Sequence, residues 1–240
     1  TVATEMYSAG IDRLTHQPLS FSVSETTEGV HIHIIDAELM GKGEKEKKDL
    51  YIEGVQNNGI INHYEYIINS EGTIEIRHVL KPEGKMPLWF PRIGLTLTVS
   101  DALDQVKWYG RGPQENYPDR KTGYPTGIYA STVQAMYEPY LMPQDYGLRT
   151  DVRWLQLTTD KGIGLQFKMN EWFNFNIYPY STNNLTKAMY TYQLQKQKGM
   201  TLKLDYATTG VGCTARGVFG AYKAMPQEYR RTISIRPMMK

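Results

Sequence analysis

Apolar and polar residues alternate one by one along nearly the whole chain, and this period of two is what most restricts how it can fold. Successive side chains of a strand point to opposite faces, so alternation marks a strand with one face buried. The clearest runs are Val30-Ile32-Ile34, Ile74-Ile76-His78-Leu80, Ile93-Leu95-Leu97-Val99, Ile163-Leu165-Phe167-Met169, Phe173-Phe175-Ile177, Leu202-Leu204-Tyr206 and Ile233-Ile235. Apolar spacing of the helical kind is nowhere sustained over three turns. Short polar breaks separate the runs: Asn58-Gly59, Glu71-Gly72, Pro82-Glu83-Gly84, Asp160-Lys161-Gly162 and Lys198-Gly199. Connections this short favour antiparallel neighbours, because parallel strands need a crossover of a dozen or more residues. The pattern predicts an all-β protein of about a dozen antiparallel strands packed as two sheets, with residues 1–240 forming one domain.

Composition removes several classes of function. With 27 Lys+Arg against 25 Asp+Glu, the formal charge of +2 gives no basic face for nucleic acid. The densest charged run, GKGEKEKKD at 41–49, mixes signs and reads as a solvated loop or hairpin. No apolar stretch approaches the roughly 18 residues of a membrane helix, so neither a membrane nor a nucleic acid is an expected partner. The single cysteine, Cys213, excludes an intrachain disulfide and a thiolate zinc cluster, and is read as a small packing residue. Eighteen tyrosines against six phenylalanines point to polar grooves as well as dry core.

The stretch from Gly110 to Pro125 is the least strand-like, broken by six glycines and prolines. Within it, Arg111, Glu115, Asn116, Asp119 and Arg120 crowd one loop. Two arginines and two carboxylates at that spacing can pair, with Asn116 bonding the backbone of a turn. Glu115 and Asp119 also offer a general acid and base, but carboxylates paired to arginine are held ionised and make poor acids. The five histidines lie in the first third. His31 and His33 share one strand face, the spacing of a two-ligand metal site, yet the face is expected to be an ordinary exposed one. Trp89, Trp108, Trp154, Trp172 and the pairs Tyr137/Tyr140 and Tyr178/Tyr180 are candidates for a sugar platform, with core or interface the simpler reading.

The string WYGRGPQENYPDR at 108–120, with FPRIGLTL at 90–97, resembles the C-terminal sandwich domain of family 2 β-galactosidases. The similarity continues through Tyr137-Glu138-Pro139-Tyr140, Gly147-Leu148-Arg149, Phe173-Asn174-Phe175-Asn176-Ile177, Tyr180-Ser181 and Gly210-Val211-Gly212. It implies a galactose-mutarotase-like antiparallel supersandwich at the end of a multidomain glycosidase whose two catalytic glutamates belong to a separate (β/α)8 barrel. It also implies a chain with no catalytic residue of its own, no cofactor and no metal, completing one wall of the substrate site, binding carbohydrate and supporting assembly. The implied partners are a galactoside, the remaining domains and further copies of the parent enzyme, in a bacterial cytoplasm or periplasm.

In the family a tryptophan follows the glycine-rich turn near the chain end and stacks on sugar. Here Gly217 falls about where it would be, which leaves Arg216, Phe219 and Tyr222 as substitute sugar contacts, or a loop that only closes the sandwich. The family's opening Trp-Arg and Asp-Asn-Asp-like motif does not occur in residues 1–85, so the chain either begins inside the domain or has diverged there. A free-standing aldose mutarotase and a pure interaction module are the competing readings.

Overall fold

A computed structural model describes residues 10–40, 58–213 and 217–239. The charged run at 41–49 and Arg216 lie outside them. Eleven strands follow in chain order: β1 (Thr15–Thr26), β2 (Gly29–Leu39), β3 (Gly59–Ile68), β4 (Ile74–Glu83), β5 (Arg92–Val99), β6 (Gln105–Arg111), β7 (Thr126–Thr132), β8 (Arg149–Thr158), β9 (Gly164–Tyr178), β10 (Met200–Thr208) and β11 (Tyr229–Met238). The described helix is one short α1 (Thr182–Lys187), capped by the Ser181 hydroxyl accepting from the Asn184 amide, beside brief 3-10 turns. Every strand pairing is antiparallel.

The two expected sheets are one hydrogen-bonded network. Its order is β1-β2-β3-β4-β11-β9-β8-β6-β7, with β10 branching from β9 and β5 pairing β10. β9 carries the branch because it is fifteen residues long. Its first half, Gly164–Met169, pairs with β11 and β8. Its second half, Asn174–Tyr178, pairs with β10. The branch then lies across the main sheet: on β4, a strand not paired with β10, His78 Nδ1 meets the Tyr206 hydroxyl of β10 at 2.7 Å.

Between these layers sits the core. Trp108, Phe167, Phe173, Phe175, Leu202, Leu204 and Ile233 are each at most 1% exposed. They are the inward members of the alternating runs, and burying each contributes roughly 1.5–3 kcal/mol. The Trp108 and Phe175 rings meet edge to face with centroids 5.9 Å apart. One end of the order departs from the pattern: Phe21 and Val23 on edge strand β1 are 68% and 56% exposed.

His78 shows how a polar residue is accommodated in this core. Both ring nitrogens of His78 are bonded, Nδ1 with Tyr206 and Nε2 with Asn62 Oδ1 at 3.0 Å, and the ring stacks on Tyr64. One donor and one acceptor are what a neutral imidazole offers. Burial, and to a lesser degree His63, lowers its pKa from the usual 6.5 to about 4. A group that charges more easily unfolded stabilises the fold fully above the unfolded pKa and loses that contribution as pH falls toward the folded one. Urea unfolding is therefore expected to show about 2 kcal/mol less stability at pH 5 than at pH 7, and His78→Gln to flatten that slope. An unchanged slope in the variant would refute the assignment.

Candidate functional site

The irregular loop after β6 is organised from within and from behind. Asn116, fully buried, accepts at Oδ1 from the amide and hydroxyl of Thr150 and donates to the carbonyl of Gln114, tying the loop to β8. Glu115 accepts from the hydroxyls of Tyr117 and Tyr140 and from the amide of Gly147 at 2.8 Å. Arg111 reaches Asp151 of β8 with Nε at 2.5 Å and donates to the carbonyls of Lys121 and Tyr124. Burial alone would raise the Asp151 pKa, but hydrogen bonds from Lys121 and Arg111 outweigh it and hold the carboxylate below its usual range.

Asp119 turns away from the loop altogether. Its two oxygens accept from the amides of Val211 and Gly212 at 3.0 and 2.7 Å, binding the loop to the glycine turn near the chain end. A side chain at Gly210 would lie 2.3 Å from the Asp119 carboxyl carbon, so the carboxylate can approach only a glycine there.

These two loops border a cleft of about 570 Å3, whose lining includes Tyr117, Arg120, Tyr140, Thr208 and Val211. Its floor comes from the polar sides of three strands whose other sides face the core. On β9, Phe175 and Ile177 point inward while Asn174, Asn176 and Tyr178 point to the cleft side; on β10, Leu202 and Leu204 alternate with Lys203 and Asp205. Arg92, at the start of β5, joins them. Its Nη2 lies 2.7 Å from Asp205 Oδ2 and its Nη1 lies 3.1 Å from Asp145 Oδ2.

Asp145, on the loop before β8, closes the network. Its Oδ1 accepts from Lys203 at 3.1 Å, Tyr178 at 2.9 Å and Asn176 at 3.1 Å. Burial would raise the Asp145 pKa, but Arg92 and Lys203 draw it down. Asp205, enclosed on all sides, is pushed up by burial against the pull of Arg92 and Lys203. Arg92 Nη1, off hydrogen-bond geometry with Asp145, has no hydrogen-bond acceptor among the described residues. The floor thus offers two cations, two carboxylates and an unused donor.

A family model described as the beta galactosidase small chain matches residues 6–235. The chain belongs to the β-galactosidase small-chain family. The β-galactosidase of Priestia megaterium is 38% identical over 147 residues, which cover 61% of this chain and 14% of that protein. The Vibrio cholerae β-galactosidase is 30% identical over 207 residues, covering 86% of this chain and 18% of that one. The chain therefore spans less than a fifth of the length of either relative. Among solved structures, a GalM/aldose epimerase homologue from C. elegans aligns with 92% of this chain and 69% of its own, at 12% identity and a TM-score of 0.44.

Within this family chain, several sequence expectations move. Arg111 and Arg120 do not pair with Glu115 and Asp119. Among the described residues neither carboxylate forms a salt bridge, because each already accepts backbone amides or tyrosine hydroxyls; Arg120 instead lines the cleft. Cys213 is exposed rather than packed, since its turn is held by backbone amides that leave the side chain outward. His31 is not the exposed residue expected: its side chain is only 12% exposed, against 50% for His33.

Of the aromatic candidates, Trp89, Trp108 and Tyr178 are buried, while Trp172 is 60% exposed under the Arg153 guanidinium at 4.1 Å. Phe219 and Tyr222 are 65% and 40% exposed. The Tyr222 carbonyl accepts from the Gly210 amide at 2.9 Å, placing both rings on the return of the turn that borders the cleft. Arg92, Asp145, Lys203 and Asp205 were missed by reasoning on motifs. Their one signal is a charged residue at a polar step of a buried strand, as in Leu202-Lys203-Leu204-Asp205.

Removing one member of a buried ion pair leaves its partner uncompensated. Arg92→Ala is expected to cost about 3–5 kcal/mol in urea unfolding, and adding Asp205→Asn to recover part of that. A loss below about 1 kcal/mol would contradict the network. Asp119→Ala is expected to speed amide exchange at Val211 and Gly212 selectively, and unaltered exchange there would count against the link between the loops.

Proposed function

We propose that this chain is a non-catalytic domain of a β-galactosidase, in which the cleft over Arg92, Asp145 and Lys203 binds carbohydrate and forms one wall of the substrate site. The charge arrangement of that cleft carries the reading. Arg92 and Lys203 of its floor are offset by Asp145 and Asp205, which leaves Arg120 at the rim as its net charge, too little to make the cleft an anion site. Closely alternating donors and acceptors suit a neutral ligand whose hydroxyls do both, and the Tyr117 and Tyr140 rings at the rim give a pyranose face something to cover.

The absence of catalysis by the chain alone has a matching argument. Glu115 and Asp119, the carboxylates of the most family-specific string, spend their oxygens on tyrosines and amides. Asp205 and Asp151 are held by cations. In such a scheme the galactoside-cleaving carboxylates belong to the parts of the relatives that this chain does not span. The loop held by Arg111, Glu115 and Asn116, with Arg120 and Asp119 at its rim, is then the surface that meets those parts, and Phe219 and Tyr222 the margin nearest the sugar.

Epimerase chemistry would need a free acid and base, and the best place for it is a cavity of about 180 Å3 lined by Glu38, Asn62 and His78. Burial raises the Glu38 pKa, but both His78 nitrogens are already committed.

Titrating the isotopically labelled chain with methyl β-galactoside is expected to shift amide resonances around Asp145, Lys203 and Thr208, and Asp145→Asn with Arg120→Ala to weaken that response at least tenfold. The chain alone should neither hydrolyse nitrophenyl galactoside nor speed the optical equilibration of fresh α-galactose. Shifts confined to other surfaces would reject the cleft, and hydrolysis or mutarotation by the chain would reject the non-catalytic reading.

A further inference from the structure

The outer face of the β2–β3 pair carries a second cluster, remote in chemistry from the cleft. His31 and His33 stand two residues apart on β2, and the register puts Glu65 of β3 directly opposite His33. One nitrogen of each imidazole and one oxygen of the carboxylate lie within 4.8 Å of one another. His31 Nδ1 is 3.4 Å and His33 Nε2 is 4.0 Å from Glu65 Oε1. We propose that His31, His33 and Glu65 form a binding site for a divalent cation of the zinc type.

Three observations carry this. First, metal–donor bonds of about 2.0–2.2 Å place tetrahedral ligands roughly 3.3 Å apart. The His31–Glu65 edge already has that length, and the longer edge closes by rotation of His33, whose side chain is half exposed. Second, the His31 ring is largely enclosed and makes no hydrogen bond among the described residues, so the Nδ1 that faces Glu65 is committed to no other group. Its Nε2, on the far side of the ring, is buried without a partner and is the position that carries the ring proton when Nδ1 keeps its lone pair for a ligand.

Third, Glu65 divides its oxygens. Oε2 accepts from Arg77 Nη1 at 3.1 Å, and Arg77 Nε is held in turn by Glu75 at 2.8 Å. This orients the carboxylate and leaves Oε1 turned to the histidines, the arrangement of an outer-shell partner. The Glu75 charge offsets the arginine, so the triad keeps a net negative charge contributed by Glu65. Two imidazoles and one carboxylate select zinc, nickel or copper over magnesium and calcium, and three protein donors leave the remaining positions to water. Because the donors come from two strands, a bound ion would clip β2 to β3 and favour the folded chain by mass action, about 100-fold in the folding constant at a free metal concentration 100 times Kd.

The test is zinc titration of the chelator-treated chain carrying Cys213→Ser, which removes the exposed thiol as a competing ligand. One equivalent is expected to bind with a Kd of micromolar order and to raise the melting temperature, while magnesium at the same concentration changes nothing. His33→Ala and Glu65→Gln, both at partly exposed positions and so expected to fold, should each weaken zinc binding at least tenfold and remove the thermal shift. Zinc binding that survives both substitutions, a response shared by magnesium, or no binding at all would overturn the proposal.

Discussion

The long strand β9 is where the constraints of this molecule meet. Its inward residues Phe167, Phe173, Phe175 and Ile177 are all within 2% of complete burial, and they span both the main sheet and the β10–β5 branch. A strand that buries these four residues on one face cannot shift its register by one without turning that whole apolar set outward. Fixing β9 therefore fixes its partners β8, β11 and β10 at once, and through β10 it places β5. The sandwich closes over this one strand.

What sets β9 apart is that its second half is buried on both faces for opposite reasons. Phe175 and Ile177 are held by apolar contact, while Asn176 and Tyr178 are held by hydrogen bonds to Asp145. A buried polar side is tolerated only when its groups are satisfied. Arg92 and Lys203 meet that condition with Asp145 and Asp205, Arg92 Nη1 excepted, and the same network forms the floor of the cleft. The close approach of β5 to Asp205 relies on Gly94, where a side chain would stand 2.3 Å from the Leu204 carbonyl. Core and cleft floor are two sides of the same strands here, so the polar face is as constrained as the core.

The family-specific loop shows a different economy of groups. Its carboxylates and the Asn116 carboxamide serve as acceptors for backbone and hydroxyl donors, with no ion pair among the described residues, and so connect segments far apart in sequence: Glu115 to Gly147, Asn116 to Thr150, Asp119 to Val211 and Gly212. These links hold a loop rich in glycine and proline against β8 and the glycine turn without any strand pairing of its own to the main sheet.

The alternation in the sequence determined that the chain is built of antiparallel strands, which residues of Phe173–Ile177 or Leu202–Tyr206 face inward, and where its turns fall, because side-chain direction in a strand is a local property with a period of two. The loop string and the glycine turn were likewise legible as the places where the pattern breaks. Tertiary structure alone decided that the two sheets share β9, that Asp119 pairs with the turn at Gly210–Gly212 and not with Arg120, that Cys213 faces outward, and that Arg92, Asp145, Lys203 and Asp205 come together. Each of those depends on contacts between residues from about 20 to more than 110 positions apart, and neither period nor spacing carries information over such distances; only the packing of one strand's face against another does.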